Sequence, residues 1–596
     1  MTLCHTTVPR PRVIISGSMH RPGERCSIAL IAILVVATVV RFAGLGSKPL
    51  WIDEAMTALV VLGRGPDDVP LGVARPLTAL ASIFSLNPAS TWLDVVTRLV
   101  DPAVQHTHPP LFYVLMHAWL AWLAPPLSEL AWTLRAVAAV FGILAVGLIY
   151  GLARAAFGER AGLAAAALAA VSPAMVMLAQ EGRNYTLPLA LLAAAFWVMV
   201  TMVRPLTDER PIAPTLWAAW TTLNVCACYA HYYSALAFAA QAITLAILIA
   251  RQRSWPQLGW LVVSLTAAGV AFLPWLPILF EHSVSPEQGW MRLRTPWFIV
   301  VSTLDAWRAM FAGRGWEYAS FPVLAITEAA TILFGAWMLV IAFVGLARRL
   351  RAASRPPAAD ALLLVAAITL GELLAASLVY RKNFVSEARY HFVYYPAIVA
   401  LFAWILAELP ARAAASWRRA LVEPPARAAL ALILLVGCVN AVATDLGLAF
   451  PKRTKPDRTG AALAAAATPP VLVVTGSGSF HETVLQLSYL LELLRQSPAA
   501  AETEFSVVTR SNTYTGNNRD APRQPSSIFW IGFAHVRDIT KLPATLWVNA
   551  GRLQTAEYPQ RLEVTVREER RSCAVDQLER ARRRDDDDFL LYHCSP

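Results

Sequence analysis

Asp53 and Glu54 stand side by side shortly after an apolar stretch, in the run Lys48-Pro49-Leu50-Trp51-Ile52-Asp53-Glu54. A carboxylate at the boundary between water and lipid can take a proton from an acceptor hydroxyl or amine when its neighbours tune its pKa. Taken alone, the pair also reads as an ordinary acidic loop beside an interfacial Trp. A second run, Gln180-Glu181-Gly182-Arg183-Asn184-Tyr185, offers the planar fork of Arg183 for a phosphate, with Tyr185 as a neighbouring donor. A third, Tyr229-Ala230-His231-Tyr232-Tyr233, sets one His among tyrosines, as either a metal or phosphate ligand or a member of an aromatic belt. In His106-Thr107-His108-Pro109-Pro110 the two prolines fix a turn. His106 and His108, two residues apart, do not have the spacing of metal ligands on a helix. Arg381-Lys382-Asn383 and Arg389-Tyr390 add positive charge, for headgroups or for a ligand. Together these segments supply a base, cations for an anionic leaving group and aromatic platforms, which is what a lipid-phosphate donor requires.

The elements that must position them are apolar. Of 596 residues, 57% are hydrophobic and 15% charged, with a mean hydropathy of +0.49. A soluble chain carries roughly a quarter charged residues, so the composition excludes a cytosolic enzyme and disorder and predicts a polytopic α-helical membrane protein. About 11 transmembrane helices are expected, near 28–45, 132–153, 162–180, 186–203, 214–230, 234–250 and 258–280, one ending at Arg348, then 361–380, 391–409 and 428–448. Every inward loop then carries at least two basic residues, which sets residues 1–27 inside. The motifs above collect on the outer face, in a first outer loop (46–131) and at outer helix ends. The apolar piece 111–124 is short for a span and is expected to lie at the interface.

The net charge of +11 sits mostly in loops between spans, so nucleic acid is not an expected partner; membrane lipids are. Residues 449–469 read as a linker, and 470–596 as an outer α/β domain with strands at 471–474, 505–508, 528–531, 546–549, 562–566 and 589–593. Helical spacing at 483–494 separates the first two. Arg582–Asp588 reads as a solvated charge run. Seven cysteines make no disulfide framework, although Cys573 and Cys594 can pair if their domain is extracytoplasmic. Cys226 and Cys228, inside an apolar stretch, read as small packing residues.

These motifs resemble the C-type glycosyltransferases (GT-C fold) of family 39, the group of protein O-mannosyltransferases and of the lipid A aminoarabinose transferase. The resemblance rests on Leu50–Glu54, His108-Pro109-Pro110-Leu111, Leu134-Arg135, Gln180–Tyr185, Tyr229–Tyr233 and Arg389-Tyr390, and covers about 28–410. It implies transfer of a sugar from a polyprenyl-phosphate donor to a lipid, glycan or protein acceptor on the outer face of the cytoplasmic membrane. Asp53 maps to the acid that acts on the acceptor, with Glu54 beside it. Arg183, Tyr185, Lys382 and Arg389 are expected at the donor phosphate. His108, Tyr232 and Tyr233 are expected at the acceptor or cavity. His231 matches a position where some members hold a divalent metal and others need none. Gly182 reads as a spacer.

A phosphate is already a good leaving group, so one carboxylate base suffices, unlike the two carboxylates of glycoside hydrolases. Direct displacement implies inversion at the anomeric carbon. The rival readings are a transporter or flippase of lipid-linked sugars and a non-catalytic scaffold. A transporter wants polar residues at mid-bilayer, where Glu372 is the main one.

Overall fold

Runs of Ala, Leu and Val with few charges build the helices that dominate the chain between Pro22 and Asp445. The structure is a computed structural model. It describes residues 22–69, 75–104, 106–283, 293, 295–316, 320–351, 355–410, 424–450, 456–457, 460–461, 464, 471–477, 480–496, 503–509, 545–551, 561–566, 569–579 and 588–594. After α1 (Pro22–Phe42), the long first loop carries α2 (Ile52–Val61), a short β1 (Arg75–Pro76), α3 (Leu80–Ile83), α4 (Trp92–Val100) and α5 (Leu111–Leu123). Then come α6 (Leu127–Phe157), α7 (Glu159–Val171), α8 (Pro173–Ala179), α9 (Thr186–Thr207), α10 (Pro214–Ala230) and α11 (Ser234–Arg251). They are followed by α12 (Trp255–Phe272), α13 (Leu276–Ser283), α14 (Trp297–Phe311), α15 (Phe321–Arg351), α16 (Pro357–Val379), α17 (Tyr395–Ala407) and α18 (Ala426–Asp445).

A helix occupies each of the eleven expected spans. Among the described residues, seven are long and apolar enough to cross a bilayer by themselves, and α7 with α8 makes an eighth if that bent pair is one span. The remaining three, α1, α10 and α17, are shorter or more polar. At about 1.5 Å per residue, the 13 residues of α17 fall short of a hydrocarbon core about 30 Å thick. α17 is preceded by a 3₁₀ turn, Ala388–Val393, that places Arg389 just before its N-terminal end. The expected interfacial piece is α5, also 13 residues long.

The break in the third span has a legible cause. Pro173 has no N–H to give to Ala169 and its ring crowds that carbonyl, so α7 and α8 meet at 61°. Arg41 fills the vacancy: its Nη2 donates to the Ala169 carbonyl at 3.0 Å and its Nη1 to that of Ala170 at 2.8 Å. The bend delivers Gln180–Tyr185 to the site.

The C-terminal part is α/β, as expected. β2 (Val471–Ser477), α19 (Phe480–Gln496) and β3 (Thr503–Thr509) form a parallel βαβ unit, followed by β4 (Thr545–Gly551), β5 (Arg561–Val566), β6 (Glu569–Glu579) and β7 (Asp588–Cys594). The sheet order is β1-β3-β2-β4-β7-β6-β5. The expected strand at 528–531 lies outside the described residues, as do most of the 449–469 linker, the 1–27 segment and Arg582–Asp587. β1 belongs to the long first loop and pairs antiparallel with β3, Arg75 opposite Phe505. α19 seats Val484, Leu487, Leu490 and Leu493 in one apolar core with Ala55, Met56, Leu59 and Val60 of α2. The helix that carries Asp53 is therefore braced by the C-terminal part of the chain.

Candidate active site

α2 starts at Ile52, so Asp53 and Glu54 lie in its first turn, where the helix dipole favours negative charge. Successive helical residues point about 100° apart, and the two carboxylates part company. Glu54 turns inward and is buried. It accepts from Arg135 Nε and Nη2 at 2.7 and 2.6 Å and from the Gly182 N–H at 2.8 Å. Arg135 spends its remaining donors on the carbonyls of Leu45, Lys48 and Pro49. Glu54, expected as a second catalytic carboxylate, is thereby engaged through both oxygens with Arg135 and Gly182. Asp53 keeps a side chain 25% exposed.

Two guanidiniums from distant segments flank Asp53. Arg183, buried at the end of the α8–α9 turn, donates from Nη1 to the Asp53 carbonyl (3.1 Å) and to the Thr57 hydroxyl (2.8 Å). Its Nη2 lies 3.3 Å from His108 Nε2. A guanidinium only donates, so Nε2 accepts and the His108 proton sits on Nδ1. Arg389 Nη1 stands 3.7 Å from Asp53 Oδ2. An aromatic box holds it, with the ring of Tyr390 at 5.4 Å and those of Trp51 and Tyr185 at 6.0 Å. Tyr233 extends the box, 5.1 Å from Tyr390.

Beside Arg183 lies a knot of histidines. His106 and His108 meet at 4.9 Å, and His108 and His231 at 6.0 Å. Both ring nitrogens of His106, Nδ1 of His108 and Nε of Arg183 are buried and, among the described residues, without a hydrogen-bond partner. Unpaired buried polar atoms cost about 1–3 kcal/mol each; several in one place mark room for a polar ligand or water. Burial and then the Arg183 charge hold His106 and His108 well below the usual imidazole range. Burial, with Arg183 and Arg389, brings His231 down to about 3.

The environment of His231 does not suit a divalent cation. Its Nδ1 accepts from the Tyr233 N–H at 3.2 Å, so the neutral ring carries its proton on Nε2 and has no lone pair left there. Two arginine charges face the same ring. Among the described residues, no three His, Cys, Asp or Glu side chains are grouped to hold a metal.

Other expected residues fall farther out. The Tyr232 hydroxyl turns to His282 Nδ1 (2.8 Å) and receives the Trp275 indole N–H (2.9 Å), so it ties α13 to the C-terminal end of α10. Lys382 is half-buried on the turn after α16, in the same connection between α16 and α17 as Arg389. Sequence reasoning missed Thr57, which cradles Arg183, and took Gly182 as a spacer. Gly182 gives its N–H to Glu54, and a Cβ there would press on Leu134 at 3.1 Å. A cavity of about 530 Å³ opens on the Glu54 side, lined by Lys48, Trp51, Glu54, Gln180, Asp445 and Arg495 among others.

Residues 107–278 match the model of the dolichyl-phosphate-mannose-protein mannosyltransferase family. The match bears out, over that segment, the resemblance to family-39 C-type glycosyltransferases; it spans His108, Arg135, Arg183 and His231 and stops short of Asp53 and Arg389. No curated protein matches by sequence. Among solved structures, the chain is similar to ArnT from Cupriavidus metallidurans bound to undecaprenyl phosphate, at 14% identity and a TM-score of 0.47, over 94% of this chain and 97% of that one. It is also similar to the oligosaccharyltransferase AglB of Archaeoglobus fulgidus in complex with an inhibitory peptide and a dolichol-phosphate, at 12% identity and a TM-score of 0.43, over 80% and 65%. The Archaeoglobus fulgidus oligosaccharyltransferase complex with Zn and sulfate matches at 12% and 0.43, over 78% and 61%.

Proposed function

We propose that this chain is a membrane glycosyltransferase that moves a sugar from a polyprenyl phosphate to an acceptor on the outer face of the cytoplasmic membrane, with inversion. The observation that carries this reading is the meeting of one accessible carboxylate, Asp53, with two guanidiniums, Arg183 and Arg389, from distant segments. Asp53 takes the proton from an acceptor hydroxyl or amine as that atom bonds to the anomeric carbon. The bond from that carbon to the phosphate oxygen breaks, and its electron pair leaves with the polyprenyl phosphate. Arg389 and Arg183, with Tyr185 and Lys382, offset the charge gathering on the departing phosphate. His108 and Tyr233 line the space beside it, and His108 Nδ1–H is an open donor into that space. Acceptors of the lipid, glycan and protein classes all offer the needed hydroxyl or amine.

A transporter or flippase of lipid-linked sugars is the alternative, and Glu372 favours it. Its Oε2 is buried within α16 and unpartnered among the described residues. Membranes given radiolabelled polyprenyl-phosphate mannose, glucose and aminoarabinose separate the two. A transferase moves label onto a new lipid, glycan or protein; a flippase leaves it on the original carrier and changes only its side of the membrane.

A further inference from the structure

β6 and β7 run antiparallel, and their register sets Cys573 opposite Cys594. Directly opposed residues in such a pair have Cα atoms about 4.5–5.5 Å apart. That interval lies inside the roughly 4.4–6.8 Å at which a disulfide closes without backbone movement. The pairing is also selective. Of the seven cysteines, Cys26, Cys226, Cys228 and Cys438 are free and sit in the membrane helices α1, α10 and α18. Cys4 lies outside the described residues. Cys573 and Cys594 share the C-terminal sheet.

We propose that Cys573 and Cys594 form an intramolecular disulfide that fastens the last strand of the sheet. The inference rests on the outward placement of the C-terminal domain, because thiols persist reduced inside the cytoplasm and oxidise outside it. The bond forms by exchange. One thiolate attacks the disulfide of a thiol oxidoreductase of the outer compartment, giving a mixed disulfide, and the second thiolate displaces it. The two electrons and two protons given up by the cysteine thiols pass to the oxidoreductase, which leaves as its dithiol.

The sheet gives this link a purpose. β7 lies between β4 and β6 and so joins the parallel half of the sheet to the β5–β6 hairpin. The β6–β7 ladder shifts register between Val575 and Gln577, close to the cysteine pair. A shift of one residue would turn every side chain of a strand to the opposite face. A covalent tie between residues 573 and 594 removes that freedom and holds the chain end in the sheet.

Thiol counting on the full-length protein tests it. Membranes are quenched in acid, dissolved in SDS and treated with a maleimide–polyethylene glycol before and after reduction. With seven cysteines in the chain, the proposal predicts five mass additions before reduction and seven after. The C573S/C594S variant should give five under both conditions. Seven additions to the wild type before reduction would overturn it, as would a reducible dimer or a difference of two that survives in the double variant. The count does not depend on activity, so failure here leaves the transferase reading standing.

Discussion

Arg135 and Glu54 meet in a bidentate ion pair at 2.6 and 2.7 Å, with both side chains almost wholly out of water. The pair pins the first turn of α2, and one residue earlier Asp53 is left facing Arg389. Two adjacent acids thus sit in different surroundings, one paired by Arg135 of α6 and the other, the base in the proposed mechanism, left beside Arg389.

Breaking that anchor on one side should be costly. Arg135→Met strands a buried carboxylate and is expected to cost about 3–5 kcal/mol, read as a lowered midpoint of thermal unfolding in detergent. Adding Glu54→Leu removes the stranded charge and should restore much of the loss. A single variant as stable as wild type would contradict the anchoring role.

Arg389 is expected to act on the donor more than on the fold. A hydrogen bond to a charged group is worth about 1.5–3 kcal/mol, or roughly 10- to 100-fold. Arg389→Ala should therefore lower kcat/KM for the lipid-phosphate sugar by about that factor, and Arg389→Lys should recover part of it. An unchanged kcat/KM in Arg389→Ala would contradict a role at the donor phosphate.

The histidine knot predicts acid sensitivity. His231 has its pKa moved from 6.5 to about 3 by burial and the two arginines, so the folded protein refuses a proton that the unfolded chain accepts. Its depressed value contributes stability that is full above about pH 6.5 and is lost as pH falls toward 3, and His106 and His108 add in the same sense. Thermal midpoints measured between pH 8 and pH 4.5 should fall on the acid side. The fall should be shallower in His231→Gln, and an identical slope in that variant would contradict the assignment.

Bracing of α2 by the C-terminal domain makes a further prediction. Leu487 is fully buried where α19 packs on α2. Leu487→Asp places an unpaired charge in that core and should reduce transfer at least tenfold while the membrane helices remain inserted. Full activity in that variant would show that the domain is dispensable for positioning Asp53.

Much of this was legible in the sequence, and the remainder was hidden for a physical reason. The eleven apolar stretches announce helices because period and composition are local properties. Asp53, Arg183 and Arg389 stood out because charge at a membrane boundary is expensive. The anchoring of Glu54 could not be read from Leu50–Glu54, since it depends on Arg135, 81 positions away. Tyr232 and Tyr233 look equivalent in sequence, yet the turn after α10 sends one to His282 and the other to the aromatic box. The strand β6 escaped because Glu569, Arg570 and Arg571 mask its pattern. The two-residue β1 escaped because its partner lies in another part of the chain.

The central claim is that Asp53 is the base of a sugar transfer. Asp53→Asn keeps the size and backbone contacts of the residue and removes the carboxylate. Transfer from a radiolabelled polyprenyl-phosphate sugar should fall by about 10²–10⁴, with expression and thermal midpoint close to wild type. Retention of wild-type transfer by a well-inserted Asp53→Asn protein would contradict the account.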